Sequence, residues 1–205
     1  MKILLINGSP NETGTTFTAL SEMKKTFQQE GIDSEIINIG NKAIRGCIAC
    51  GSCGKTGKCA IDDIVNEVAE KFITAEGLVV GSPVYYASAN GTLISFLDRL
   101  FMSCKADKRF KVGASIVCAR RGGLSSTFDE LNKYFLMNQM PVAASNYWNS
   151  LHGPNAETAE KDKEGLQTMR ILAKNIAFMI KSFALAKEKF GLPEPEEKIK
   201  TGFLN

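Results

Sequence analysis

Long hydrophobic runs are missing from this chain. The apolar stretch near its start, Ile3-Leu4-Leu5-Ile6, stops at Asn7-Gly8, far short of the ~20 residues that span a membrane. The pattern of a cleavable leader is missing too. The expected location is therefore the cytoplasm, with no membrane partner. Strong charge of one sign is also absent: Lys+Arg 25 against Asp+Glu 22 gives +3, too mild to point to nucleic acid. Hydrophobic residues at 44% and charged residues at 23% are ordinary for a soluble globular protein. There is no internal repeat and no linker that would split the chain. Residues 1–190 read as one domain, interrupted by an irregular cysteine-rich insertion at 40–60. Residues 191–205, rich in proline and glutamate, read as a polar tail.

Two phosphate-binding signatures are missing as well. Only Gly8 and Gly14 stand in the first loop, so it is not GxGxxG. No lysine follows Gly14, so it is not GxxxxGK[ST]. These gaps argue against a dinucleotide or a triphosphate in this loop. What is present is a four-residue apolar run that reads as a strand buried on both faces. Ser9-Pro10-Asn11-Glu12-Thr13-Gly14-Thr15-Thr16 follows, small, hydroxylated and turn-forming. Phe17, Leu20, Met23 and Phe27 then recur at helical spacing. A strand thus ends in a hydroxyl-rich loop that opens a helix. The first turn of a helix carries unpaired N–H groups and the positive end of the helix dipole. With the hydroxyls of Ser9, Thr13, Thr15 and Thr16, those groups would cradle a monophosphate, with FMN the leading candidate. The other reading is an ordinary strand–turn–helix with a good N-cap.

The same alternation continues. Strands are expected at 34–39, 77–81, 112–118 and 141–145. Helices are expected from Asp62-Asp63 to Ile73, over 93–101, over 125–137 and from Leu166 to Lys187. Strands alternating with helices imply an α/β fold with a parallel sheet covered on both faces. Five such strands fit the flavodoxin-like, doubly wound order 2-1-3-4-5. In that order a ligand sits at the carboxyl ends of the strands, at the point where the order reverses. The loops after strands one, three and four then share one edge.

Those three loops carry the chemistry. GSPNETGTT resembles the phosphate loop of the flavodoxin-like NADPH-dependent FMN reductases. GSPVYYASANGT, from Gly81 to Thr92, is similar to that family's second flavin loop. Ala119-Arg120-Arg121-Gly122-Gly123 resembles the third. The resemblance implies FMN bound by Ser9, Pro10, Asn11, Gly14, Thr15 and Thr16. It further implies contacts from Pro83, Val84, Tyr85 and Tyr86, and from Ala119, Arg120, Arg121, Gly122 and Gly123. Tyr85 or Tyr86 would wall the flavin ring, unless the two aromatics complete a core. Gly122 and Gly123 allow close backbone approach. Arg120 and Arg121 would stabilise reduced flavin or receive the extra phosphate of NADPH, unless they form a solvated basic turn. No catalytic residue is singled out. His152 is a candidate proton donor to a quinone-like acceptor, though a lone histidine is more often a loop hydrogen-bonder. Trp148 would pack or line a substrate wall. Asp98 and Arg99 are candidates for a structural ion pair or a subunit contact.

RGCIACGSCGKTGKC spaces four of the six cysteines as Cys47-x2-Cys50-x2-Cys53-x5-Cys59. Thiols at this density in a cytoplasmic-type chain point to metal or redox chemistry rather than a disulfide framework. The compact spacing lets three thiolates cap three irons of a cubane, with a fourth arriving from further along. Arg45, Lys55 and Lys58 would offset a thiolate-ligated cluster's charge. No proline follows Cys59, which departs from the bacterial ferredoxin run. The motif resembles that of the iron–sulfur flavoproteins, a branch of the same family, and the resemblance covers roughly residues 1–153. It implies a [4Fe-4S] cluster on Cys47, Cys50, Cys53 and Cys59. Zinc, a Cys50–Cys53 redox dithiol and an empty thiol loop stay open. Cys104 and Cys118 read as core residues.

The chain is therefore expected to pass electrons from NAD(P)H or another small-molecule donor through FMN to a small-molecule acceptor, and to form a homodimer or homotetramer. A cluster-free NAD(P)H:flavin or quinone reductase is the alternative. A flavodoxin-fold binding module with a redox or zinc switch is a second.

Overall fold

The computed structural model describes residues 1–197, 199, 201 and 202. The expected tail at 191–205 therefore falls in part outside the described residues. Over 191–197 the chain has no regular structure and is largely exposed.

β1 (Lys2–Asn7) is buried on both faces. Ile3 and Leu5 point into one core, and Leu4 and Ile6 into the other. This is the period-two consequence of an apolar run in a parallel sheet. α1 (Thr15–Gln29) crosses over, and β2 (Asp33–Asn38) returns beside β1. The insertion then holds only one short helix, α2 (Ser52–Thr56), before α3 (Ile64–Thr74). β3 (Gly77–Tyr85) turns back on itself through β4 (Ser88–Ala89) as an antiparallel hairpin. α4 (Gly91–Ser103), β5 (Val112–Ala119) and α5 (Leu124–Met137) follow. β6 (Ser150–His152), α6 (Ala156–Ala159) and the long α7 (Lys163–Phe190) complete the chain. The main sheet runs β2-β1-β3-β5-β6, all parallel, with β4 as a side strand. Counting its five strands in order gives 2-1-3-4-5, the flavodoxin-like topology. α1 and α7 cover one face, while α3, α4 and α5 cover the other.

One strand lies elsewhere than the sequence places it. Pro141–Ser145 makes only a single bridge, Gly113 to Val142. The fifth strand is β6, which pairs with β5 beyond the expected span. Asn149 causes the split. Its side chain donates to the Ser115 carbonyl at 3.1 Å and its carbonyl accepts from Val117 N–H at 3.0 Å. A side chain thus does the work of the missing ladder rungs, and the edge strand resumes only at Ser150.

Cys104 and Cys118 are buried core residues, as expected. Burial pushes the Cys118 thiol from 9.0 up to about 12. The unfolded chain releases this proton near 9.0, whereas the folded chain holds it to about 12. The stability it contributes is therefore complete below the unfolded value and is lost as pH rises through the folded one. Denaturant midpoints measured across that window should fall less steeply in Cys118→Ala than in wild type. Parallel declines would contradict the assignment.

Candidate functional site

The crossovers diverge between β1 and β3, and the loops after them meet at the carboxyl edge. Gly8 N–H donates to the Gly81 carbonyl at 2.8 Å. A Cβ on Gly8 would lie 2.7 Å from Leu93 Cδ2 and 2.8 Å from that carbonyl, so glycine is required for the approach.

Beyond Gly8 the loop is stapled by its own side chains. Asn7 Oδ1 accepts from Ser9 N–H, Ser9 Oγ from Asn11 N–H, and Asn11 Oδ1 from Thr13 N–H. The Glu12 carboxylate is engaged by Asn41 at 2.7 Å. Gly14 is the N-cap of α1, but no side chain caps the helix and its first turn carries no acid. The first intrahelical-type bond is from Thr18 N–H to the Gly14 carbonyl. The N–H groups of Thr15 and Thr16 precede it and belong to the orphan set of a helix start. By contrast, Asp63, Asn90, Asn155 and Asp162 cap α3, α4, α6 and α7. Anion-binding capacity is left open where the sheet order reverses.

The hydroxyls are less free than the sequence implies. Thr15 Oγ1 donates to the Gly153 carbonyl at 2.9 Å. The Thr16 hydroxyl faces the Cys118 thiol, and its methyl group would meet a Cβ on Gly81 at 2.8 Å. Ser9 is buried and its oxygen accepts from Asn11, so its proton remains to be donated. Of the four hydroxyls, Ser9 and the exposed Thr13 are left beside the helix N–H groups for the expected anion site.

The other two loops close on the same edge. Gly123, at φ +86°, N-caps α5, again with no side-chain cap. A Cβ there would lie 2.9 Å from Val84 Cγ1 and 3.0 Å from Ala87 Cα, so the loop after β5 packs directly on the β3–β4 hairpin. Ser126 donates to the Ala87 carbonyl at 2.7 Å. Gly153 N–H reaches the Ala119 carbonyl at 3.2 Å and links this loop to Thr15. Pro10, Asn11, Arg120, Arg121 and Gly122 are exposed on the edge, Pro83 and Ala119 half-buried. Tyr85 and Tyr86 do not complete a core. Tyr85 is half exposed, and Tyr86 stands free at the hairpin tip with φ 51°. Left-handed backbone at a non-glycine residue stores strain. His152 ends β6, exposed, with Nδ1 3.6 Å from Asp162. Trp148 is exposed and stacks edge-on against Tyr147 at 5.0 Å.

The cysteine loop forms a second site. Cys47, Cys50, Cys53 and Cys59 all line one pocket of about 300 Å³, with Ile48, Ile61, Arg99 and Met102. Left-handed turns at Ala49, Gly51 and Gly57 curl the chain around it. Among the described residues no three His, Cys, Asp or Glu side chains are gathered to hold a metal ion. The four thiols nonetheless line the same pocket. Lys58 is turned to Glu70 at 2.6 Å, away from the charge-balancing role expected of it.

Arg99 forms a structural ion pair, one of the two roles expected of it, but its partner was not legible in the sequence. It does not pair with Asp98, which accepts from the Tyr134 hydroxyl at 2.6 Å; adjacent helix residues do not face each other. Arg99 is buried and pairs with Asp63. The available signal was its place between Phe96 and Ser103 on the apolar stripe of α4. Burial opposes its charge, but hydrogen bonds to Asp63 and Cys59 raise its pKa further.

The family model for NADPH-dependent FMN reductase matches residues 1–154. The chain belongs to the NADPH-dependent FMN reductase family. It is a flavin-dependent oxidoreductase. An iron–sulfur flavoprotein of Methanocaldococcus jannaschii is 32% identical over 189 residues, covering 88% of this chain and 98% of the relative. One from Methanosarcina thermophila is 28% identical over 193 residues, covering 92% and 100%. In fold, the chain is similar to RosB, solved with 8-demethyl-8-formylriboflavin-5'-phosphate bound, at a TM-score of 0.72 and 14% identity. That alignment covers 100% of this chain and 94% of RosB. The matched span of the FMN reductase family ends at Pro154, just past the Gly153 contact to Thr15.

Thr15 stands at N1 of α1, where proline fits a helix but lacks an N–H. Thr15→Pro should keep the fold and weaken FMN binding by roughly 10- to 100-fold, the worth of a charge-assisted hydrogen bond of about 1.5–3 kcal/mol. Thr15→Ala should weaken it less. Fluorescence titration of the flavin-free protein reads both. Equal affinity in all three proteins would remove the helix-start assignment.

Proposed function

We propose that this family member is an iron–sulfur flavoprotein that takes electrons from NAD(P)H or another small donor and delivers them to a small acceptor. The observation that carries the reading is the pocket of about 300 Å³ whose wall holds Cys47, Cys50, Cys53 and Cys59 together. The donor set is wholly soft sulfur, the type that selects iron–sulfur clusters or zinc. A single zinc ion at ~2.3 Å from each sulfur needs the thiolates nearly touching. What supports a cluster over zinc is the similarity to relatives named iron–sulfur flavoproteins. The FMN residues fit in their own way: an uncapped helix start without acids suits a phosphate, and Gly8 and Gly123 leave room for backbone to come close.

When bound, FMN supplies two-electron chemistry and a [4Fe-4S] cluster supplies one-electron transfer. The chain's own residues do the rest. Ser9 and the N–H groups of Thr15 and Thr16 hold the phosphate. Val84, Tyr85 and Tyr86 form the hairpin wall of the ring site and keep water from one side. The Gly122-Gly123 backbone gives the opposite approach. Arg120 and Arg121, exposed and unpaired by any carboxylate in the described structure, offer charge to the donor's extra phosphate.

Two tests follow from this division. Anaerobically prepared protein should carry about four irons and four sulfides per chain. Cys59→Ala should lower both yet retain FMN, because different loops build the two sites. FMN without iron after reconstitution would instead make the chain a plain NAD(P)H:flavin or quinone reductase. Arg120→Ala/Arg121→Ala should raise KM for NADPH and leave KM for NADH near wild type. Equal changes for both donors would remove the phosphate role of the pair.

A further inference from the structure

We propose that Arg99 is a positioning residue for the cysteine pocket: it fixes Cys59 as a ligand and raises the electron affinity of the bound group through a buried N–H···S bond. The proposal rests on the cluster reading above, and its test separates the two.

Arg99 is the bulkiest fully buried side chain among the described residues. A guanidinium has five N–H donors in a fixed planar fork, and here every one has an acceptor. Nε–H donates to Cys59 Sγ at 3.3 Å. Nη1 donates to the Arg45 carbonyl at 3.2 Å and to Asp63 Oδ2 at 2.6 Å. Nη2 donates to the Ile61 carbonyl at 2.8 Å and to Asp63 Oδ1 at 2.9 Å. One side chain of α4 therefore ties down both ends of the cysteine loop. Asp63 also caps α3 through Val65 N–H, so the clamp is anchored to a second helix.

Cys59 is held from a further direction. Asn66 accepts from its N–H at 3.0 Å and donates to its carbonyl at 3.1 Å. Backbone and sulfur are both fixed, whereas Cys47 and Cys50 are exposed. A strut for the loop alone would need only Asp63 and the two carbonyls. The fifth donor is spent on a sulfur that lines the pocket, and Arg99 lines it too. Hydrogen bonds to ligating sulfurs and nearby positive charge both raise cluster potentials. The effect is strong where the donor is buried. A lysine would keep the charge but not the five-way geometry.

The experiment uses the full chain with FMN, reconstituted anaerobically with iron and sulfide, as wild type, Arg99→Gln and Arg99→Lys. Iron per chain is counted after gel filtration, and the cluster midpoint is read by spectroelectrochemical titration. Arg99→Gln should bind FMN as wild type does, retain less iron, and show a more negative midpoint. The ratio of reduced to oxidised cluster at a fixed potential should fall about tenfold, which is about 59 mV for a one-electron couple. Arg99→Lys should also retain less iron but shift the midpoint less. If Arg99→Gln fails to fold, Arg99→Lys decides: iron retention and midpoint equal to wild type would overturn the proposal. Iron-loaded wild type with an unchanged Gln variant overturns it alone. Wild type that takes up no iron overturns the cluster reading and this proposal with it.

Discussion

The architecture depends on one contact, the hydrogen bond between Gly8 and Gly81 at the top of β1 and β3. Below it the two strands are buried neighbours with regular parallel register. Above it their crossovers leave in opposite directions, and a crevice must open. Both partners are glycines with no space for a Cβ. Everything chemical at the flavin edge is hung from that point. The hydroxyl-rich loop springs from Gly8, and the hairpin continues from Gly81. Gly123 then seats the third loop against the hairpin, and Gly153 ties the last loop back to Thr15.

The second site is built on the same scaffold but not from the same loops. α4 begins at Asn90, directly after the hairpin, with Asn90 also donating its backbone N–H to Ser82. About two and a half turns later the same helix presents Arg99 to the cysteine loop. A rigid helix thus runs from the flavin edge to the sulfur pocket. Two candidate sites on one rigid element keep a fixed relation to each other without needing shared ligands. This explains how a long glycine-rich insertion can be added after β2 without disturbing the flavin edge.

Much of this was legible from local chemistry. The β1 run, stopped by Asn7-Gly8, announces a central strand. Its hydroxyl-rich sequel and the C-x2-C-x2-C-x5-C spacing announce two kinds of site. What stayed hidden depends on side chains that meet across long sequence separations. The choice of Ser150–His152 over Pro141–Ser145 as edge strand turns on Asn149 reaching Ser115. The loss of two hydroxyls from the cradle turns on Thr15 finding Gly153 and Thr16 finding Cys118. Arg99 could be read as an ion-pair residue but its partners could not, since Asp63 and Cys59 lie far from it in sequence. Periodicity tells which face a residue occupies, but not which partner waits there.

The most direct measurement is an anaerobic crystal structure of the FMN-loaded protein with anomalous data collected at the iron edge. The account predicts iron density enclosed by Cys47, Cys50, Cys53 and Cys59, with Arg99 against Cys59. It also predicts the flavin phosphate on the N–H groups of Thr15 and Thr16. A pocket without iron, or a phosphate seated away from the start of α1, would contradict it.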